Sequence, residues 1–226
     1  MIVFDGSSSM NEIGFTERPE PRIDDARTAM RIALPEIAEA RRLGLVLYGP
    51  GAFAGCENIY VRLRPTAQAA GTIIRELDGL DPAGMTPLTL AVEQAAEVLS
   101  YRTRPATVVL VTDGDETCGG TPCATSARME AEARELTVHV IAFRIGYVGY
   151  EQELRQNGMG PTRTIAECMA ENTGGKVYRV ETIAEFVDAM TDTLGCNLFS
   201  FAPEDKARKS YPSVFPTYFH LALKHG

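Results

Sequence analysis

The sequence has few positive charges for its length. Its 226 residues contain 22 Lys and Arg against 30 Asp and Glu, which gives a net charge of −8 at pH 7 with His neutral. The basic residues are scattered, apart from a short cluster at Lys206, Arg208 and Lys209. Domains that bind nucleic acid usually concentrate positive charge on one face. We therefore expect no nucleic-acid partner.

Long apolar runs are also missing. No stretch approaches the ~20 apolar residues that a membrane-spanning helix needs, so we expect no membrane span in this chain. The start, residues 1–4, has neither the basic region nor the cleavage site of a secretory signal. The first apolar run is shorter than the usual strand of about five or six residues, which is consistent with a native chain that begins further upstream. The sequence therefore leaves the compartment open.

Several common enzyme motifs are absent. There is no Gly-x-Ser-x-Gly turn, no Gly-x₄-Gly-Lys phosphate loop and no Gly-x-Gly-x-x-Gly after a strand. The three histidines are His139, in a predicted strand, and His220 and His225, near the C-terminus. These absences argue against a serine hydrolase and against nucleotide binding by this chain.

Oxygen-bearing side chains recur in three loops. The first loop directly follows the apolar run 2–4, the second is the Gly-Met-Thr-Pro turn 84–87, and the third is the Thr-Asp-Gly turn after the apolar run 108–111. Their candidate ligands are Asp5, Ser7, Ser9, Thr86 and Asp113. Small hard cations prefer such oxygen ligands. The sequence therefore predicts one metal site if the three loops converge.

Apolar runs bounded by Gly and Pro alternate with stretches of helical period. The predicted strands are 2–4, 44–48, 59–63, 106–112, 138–143 and 176–180, and the predicted helices are about 23–40, 67–77, 88–100, 123–136, 164–172 and 183–194. The second and third strands flank a Gly-Pro-Gly segment, which favours an antiparallel hairpin at an edge. The pattern predicts an α/β fold with a three-layer, Rossmann-like, open and mostly parallel sheet, helices on both faces and one antiparallel edge strand. Ligands bind beyond the carboxyl ends of such strands, where Asp5 and Asp113 would lie.

These residues resemble the von Willebrand factor A domain family, whose metal-ion-dependent adhesion site combines Asp-x-Ser-x-Ser with a distant Thr and a distant Asp. All five positions are filled, in the contexts Asp5-Gly6-Ser7-Ser8-Ser9, Gly84-Met85-Thr86-Pro87-Leu88 and Thr112-Asp113-Gly114. The sequence is most like bacterial A domains that have a Cys pair after the Thr-Asp-Gly turn and an Ala-Glu-x-Thr-Gly-Gly stretch, here 170–175. The resemblance implies an A-type domain over residues 1–195. It assigns no role to the tail 196–226, which is rich in Pro and aromatic residues.

The resemblance also implies a function. Ser7 and Ser9 would bind the ion directly, Asp5 and Asp113 directly or through water, and Thr86 according to conformation. Mg²⁺ is the first choice, with Mn²⁺ and Ca²⁺ as alternatives. A protein partner would complete the coordination with an Asp or Glu carboxylate, and we expect no enzyme activity. Within the family, ligand binding is often coupled to a shift of the last helix, here 183–194.

Other interpretations exist for the same residues. Ser7, Ser9 and Thr86 are also ordinary N-cap residues of helices. The chain is alternatively a von Willebrand factor A subunit of an ATPase or chelatase-like complex. It is alternatively a Mg²⁺-dependent phosphatase of the haloacid-dehalogenase type, although Ser7 stands where that chemistry needs a second Asp. An EF-hand starting at Asp113 is excluded, because its sixth position is Cys118 and its twelfth is Ala124.

The five cysteines are Cys56, Cys118, Cys123, Cys168 and Cys196. Cys118 and Cys123 enclose only four residues, and we predict a disulfide between them, with free buried thiols as the alternative. Such a bond would favour an exported protein, periplasmic or at the cell surface.

Overall fold

Six strands form one sheet in the order β3-β2-β1-β4-β5-β6 in the computed structural model, which describes residues 1–13, 20–51, 55–114, 116–143 and 166–195. The strands are β1 (Ile2–Asp5), β2 (Leu43–Tyr48), β3 (Ile59–Thr66), β4 (Ala106–Thr112), β5 (Leu136–Phe143) and β6 (Val177–Val180). Neighbouring strands pair in parallel, except that β3 runs antiparallel to β2 at the edge. The predicted fold class, with its antiparallel edge hairpin, is confirmed.

Helices cover both faces of this sheet. They are α1 (Arg22–Ala40), α2 (Ala70–Asp78), α3 (Leu88–Leu99), α4 (Pro122–Glu132), α5 (Glu167–Asn172) and α6 (Ile183–Leu194), and a short 3₁₀ helix spans Ser8–Asn11. Buried side chains of α1, α2 and α6 form one apolar core with the sheet, and those of α3, α4 and α5 form the other. No described helix combines the length and the apolarity needed to cross a membrane.

Strand β1 lies at the centre of the sheet and sets the position of the first loop. Its side chains alternate between the two cores, with Ile2 and Phe4 in one and Val3 in the other, as the two-residue period of a strand requires. Phe4 is paired with Val111 of β4, and Asp5 with Tyr48 of β2. Because parallel strands end at the same edge, the loops after β1 and β4 emerge side by side.

Several boundaries differ from the sequence-based ones. Helix α2 begins at Ala70 rather than near residue 67, because Gln68 has φ of 54°, a left-handed conformation that cannot continue a right-handed helix. Helix α4 ends at Glu132 rather than near 136, because Leu136 already pairs with Ala106 as the first residue of β5. Thr164, the predicted start of the fifth helix, lies outside the described residues, as does the tail 196–226.

The last helix begins as its sequence predicts. The Thr182 hydroxyl accepts a hydrogen bond from the Glu185 backbone N–H at 3.2 Å, and the Glu185 carboxylate accepts one from the Thr182 N–H at 3.1 Å. This reciprocal arrangement is a capping box, which satisfies backbone donors that a helix start otherwise leaves free.

Two disulfides join Cys56 to Cys118 and Cys123 to Cys168. The predicted Cys118–Cys123 bond is therefore wrong, because the two cysteines belong to different structural units. Cys118 lies in the loop after β4 and is bonded to the loop between β2 and β3. Cys123 lies in the first turn of α4 and bonds to α5, where Asn172 Nδ2 also donates to the Cys123 carbonyl at 2.9 Å.

The double substitution Cys123→Ser/Cys168→Ser is expected to lower the free energy of unfolding by about 2–4 kcal/mol, because the bond restricts the unfolded chain. Urea denaturation of the oxidised proteins measures this difference. The control is Cys196→Ser, because Cys196 belongs to neither pair.

Peptide mapping without reductant should recover the 56–118 and 123–168 pairs. A peptide linked through Cys118 and Cys123 would contradict this assignment.

Candidate metal centre

Hydrogen bonds to the Asp5 carboxylate hold the first loop against the neighbouring strands. Asp5 is fully buried, and its Oδ1 accepts a hydrogen bond from the Ser7 backbone N–H at 2.8 Å. Its Oδ2 accepts two more, from the Tyr48 hydroxyl at 2.7 Å and the Thr112 hydroxyl at 2.8 Å. The Gly6 N–H donates to the Tyr48 carbonyl at 2.8 Å. The ends of β1, β2 and β4 are thus bonded together around one carboxylate.

A chain of side-chain hydrogen bonds joins the first loop to the third. Ser7 Oγ and Ser9 Oγ are 3.0 Å apart, and the Ser9 hydroxyl donates to Asp113 Oδ1 at 2.7 Å. Ser7 precedes the 3₁₀ helix, but its side chain makes no capping hydrogen bond. The helix-cap interpretation therefore does not account for the Ser7 hydroxyl, which faces the other oxygens instead.

Backbone hydrogen bonds place the second loop beside the first. The Ala83 N–H donates to the Gly6 carbonyl at 2.9 Å, and the Ser8 N–H donates to the Gly84 carbonyl at 3.2 Å. Thr86, which is buried, donates its backbone N–H to the Thr117 hydroxyl at 2.7 Å. The N-cap of α3 is Pro87 rather than Thr86, so capping does not account for Thr86 either.

Glu116 ties the third loop to the start of α3. Its Oε2 accepts a hydrogen bond from the Thr89 N–H at 2.9 Å, and its Oε1 accepts one from the Cys118 N–H at 2.8 Å. Gly120 packs against this contact, since a Cβ there would lie 2.5 Å from the Thr89 hydroxyl and 2.6 Å from Glu116 Oε2. With the Cys56–Cys118 bond, these contacts fix the loops around the site.

Three residues of the site were missed from the sequence. Tyr48 and Thr112 end the two strands that flank β1, and the strand order would have indicated them. Arg22 begins α1, and its Nη1 lies 3.2 Å from Asp113 Oδ2 and donates to the Ser9 carbonyl at 2.9 Å. No pattern in the sequence connects Arg22 with the third loop.

Burial dominates the electrostatics of the two carboxylates. Desolvation raises the pKa of Asp5, against the opposing effect of its hydrogen bonds. Desolvation, followed by repulsion from Asp5, raises the pKa of Asp113 to about 7, although Ser9 and Arg22 lower it in part. Burial and the charge of Asp5 raise the pKa of Tyr48 well above its usual value, so its hydroxyl remains a donor at neutral pH.

The oxygen set fits a small hard cation. Asp113 Oδ2 is buried and accepts no hydrogen bond from the described residues; the Arg22 guanidinium is close to it, but the contact lacks hydrogen-bond geometry. The described part of the chain holds no group of three or more His, Cys, Asp or Glu side chains suited to a metal. The hydroxyls of Ser7, Ser9 and Thr86 would therefore have to supply ligands, as oxygen-preferring cations allow.

Known proteins share parts of this sequence and this fold. The uncharacterized protein YwmD of Bacillus subtilis is 29% identical over 163 residues, which are 67% of this chain and 70% of YwmD. An aerotolerance-related membrane protein from Bacteroides fragilis, solved with multiple mutations to serine, superposes with a TM-score of 0.58 at 19% identity, over 85% of this chain and 96% of that chain.

A second structural neighbour was solved with a metal. Proximal thread matrix protein 1 from the mussel byssus, with a zinc-occupied MIDAS motif, superposes with a TM-score of 0.55 at 17% identity, over 86% of this chain and 44% of that chain. At these identities the two structures show a common fold only.

The family itself is shown by the sequence. The pattern that describes the von Willebrand factor type A domain matches residues 1–116, slightly more than half of the chain. The matched segment contains β1 to β4 and all five candidate ligands, and it confirms the resemblance derived from the three loops. The chain belongs to the von Willebrand factor type A domain family.

Proposed function

We propose that this chain is a binding module that recognises a protein partner through a divalent cation, held by Asp5, Ser7, Ser9, Thr86 and Asp113. The observation that carries the proposal is the hydrogen-bonded series from Ser7 through Ser9 to Oδ1 of Asp113. The other oxygen of this carboxylate, Oδ2, is buried and accepts no hydrogen bond from the described residues. A cation there would relieve both the desolvation of this oxygen and its repulsion from Asp5. Family membership supports the same conclusion.

The residues have different roles in this proposal. Ser7 and Ser9 would bind the ion through neutral hydroxyl oxygens. Asp5 already accepts three hydrogen bonds, which suits it to orient the loop and to contact the ion through water. Asp113 supplies negative charge. When bound, the ion acts as a Lewis acid with exchangeable water positions, one of which a carboxylate of the partner would occupy.

Mg²⁺ is the ion that we propose, because the site has few ligands of its own and Mg²⁺ usually retains several waters. Mn²⁺ and Ca²⁺ are alternatives. The zinc-occupied MIDAS motif of the mussel protein adds Zn²⁺ to the ions worth testing. The competing phosphatase is less well supported, because both Asp5 oxygens are engaged by donors and neither is free to attack a phosphate. No contact among the described residues favours a subunit of an ATPase complex.

We also propose that the domain spans residues 1–195 and that the protein works outside the cytoplasm. Two disulfides are typical of oxidising compartments, and one structural neighbour is described as an aerotolerance-related membrane protein. In a periplasmic or cell-surface location, the candidate metal site would be accessible to other exported proteins.

Metal-stripped protein is expected to bind one Mn²⁺ or Mg²⁺ ion per chain in calorimetric titration. Asp113→Asn and Ser9→Ala should abolish measurable binding, because they remove ligands. Thr112→Val should weaken it about 10–100-fold, because it removes a donor that orients Asp5. The exposed Asp78, changed to Asn, is the matched control. Unchanged affinity in Asp113→Asn, or no binding by the wild type, would contradict the proposal.

Metal affinity is expected to depend on pH through Asp113. The pKa of this carboxyl is raised to about 7 in the metal-free protein, so below that pH an ion must displace a proton. Affinity should therefore fall as the pH drops below 7 and change less above it. Titrations in buffers of different ionisation enthalpy should detect more protons released per ion at pH 6 than at pH 8.5. A pH-independent affinity would refute this role of Asp113.

A free carboxylate is expected to reach the bound ion. With Mn²⁺ in the site, the carboxyl carbon of ¹³C-acetate should show enhanced relaxation, and ¹³C-acetamide, which is neutral, should show much less. Protein loaded with Mn²⁺ and then treated with a chelator provides the background. Equal enhancement for the two small molecules would show that the ion does not select carboxylates.

A further inference from the structure

The guanidinium of Arg22 lies next to the candidate ligands without belonging to them. Arg22 is only 7% exposed. Its Nη1 donates to the Ser9 carbonyl at 2.9 Å and lies 3.2 Å from Asp113 Oδ2. The same nitrogen is 3.4 Å from Oε2 of Glu12, whose side chain is 69% exposed. One buried positive charge thus contacts both the first and the third loop.

The contacts of Arg22 are incomplete. Its Nε is buried and makes no hydrogen bond to the described residues, and the same is true of Asp113 Oδ2. A buried guanidinium usually satisfies its donors in a planar fork with a carboxylate. The interaction here is mainly one of charge, and its carboxylate oxygen is the one that a cation would also seek.

We propose that Arg22 is an internal counter-cation of the site, which holds Ser9 and Asp113 together in the metal-free protein and lowers the affinity for the divalent ion. This inference rests on the proposed metal-binding function. When both carboxyls are ionised, Asp5, Asp113 and Arg22 carry a net charge of −1, against −2 without Arg22. A divalent ion would thus leave the site at +1, which favours an anionic partner.

A merely structural Arg22 predicts the opposite sign. If this side chain only supported the first loop, its loss would disorder Ser9 and weaken metal binding. If it competes as a charge, its loss would destabilise the metal-free protein and at the same time strengthen metal binding. The two roles are therefore distinguished by the direction in which metal affinity moves.

The test compares Arg22→Met, Arg22→Lys and the control Arg31→Met by calorimetric titration with Mn²⁺ at pH 8.5, where a proton competes least for Asp113, and by thermal unfolding of the metal-free proteins. Arg31 is an exposed residue of the same helix, paired with Asp78. Arg22→Met should bind Mn²⁺ about tenfold more tightly, a factor comparable with the effect of one neighbouring charge on a carboxyl pKa. Its metal-free Tm should be lower than that of the wild type. Arg22→Lys should stay near the wild-type affinity, and Arg31→Met should change neither value.

Equal or weaker Mn²⁺ binding by folded Arg22→Met would overturn the inference and leave the metal site intact. If Arg22→Met does not fold, Arg22→Gln, which keeps a donor but no charge, is measured in its place with the same criterion. Absence of Mn²⁺ binding in the wild type and in these variants would overturn the metal site and the inference together.

Discussion

Two buried carboxylates, Asp5 and Asp113, lie at the same edge of the sheet and repel each other. Neither has a full complement of opposite charge among the described residues, and burial raises the pKa of both. The surrounding polar contacts offset this cost. Tyr48 and Thr112 donate hydrogen bonds to Asp5. Ser9 donates one to Asp113, and the Arg22 guanidinium lies beside the same carboxylate. Replacing buried ionic groups with apolar side chains is often neutral or stabilising, so stability alone does not account for this cluster, and its presence supports the proposed ligand-binding role.

The rest of the fold places these carboxylates and keeps them in position. The central parallel strands bring the ends of β1 and β4 together, because their register pairs Phe4 with Val111. The apolar cores on both faces then fix the strands. The loops are held in place separately. Glu116 accepts a hydrogen bond from Thr89 at the start of α3, and a disulfide joins Cys56 to Cys118. Backbone geometry contributes as well: Gly49 has φ of 97°, and a Cβ there would lie 2.4 Å from the Ser7 nitrogen.

The sequence predicted the fold class well and the contacts of the site only in part. Strand periodicity and Gly and Pro boundaries are local features, and they were sufficient to predict the architecture. The three oxygen-bearing loops are local features too, and the candidate ligands that they indicate stay a prediction. Arg22 and the disulfide partners depend on contacts between segments far apart in the chain. Cys118 and Cys123 are close in sequence, yet the turn into α4 separates their side chains. The spacing of residues along the chain does not predict such long-range contacts.

The cation that we propose would bind between the Ser7 and Ser9 hydroxyls and Asp113. A crystal structure of the protein grown with Mn²⁺, with anomalous difference density, measures this directly. We expect one peak per chain, about 2.0–2.4 Å from the two serine Oγ atoms and next to Asp113, with the remaining coordination positions filled by water or a carboxylate. A map with no peak there, or a peak bound only by surface carboxylates elsewhere, would contradict this metal site.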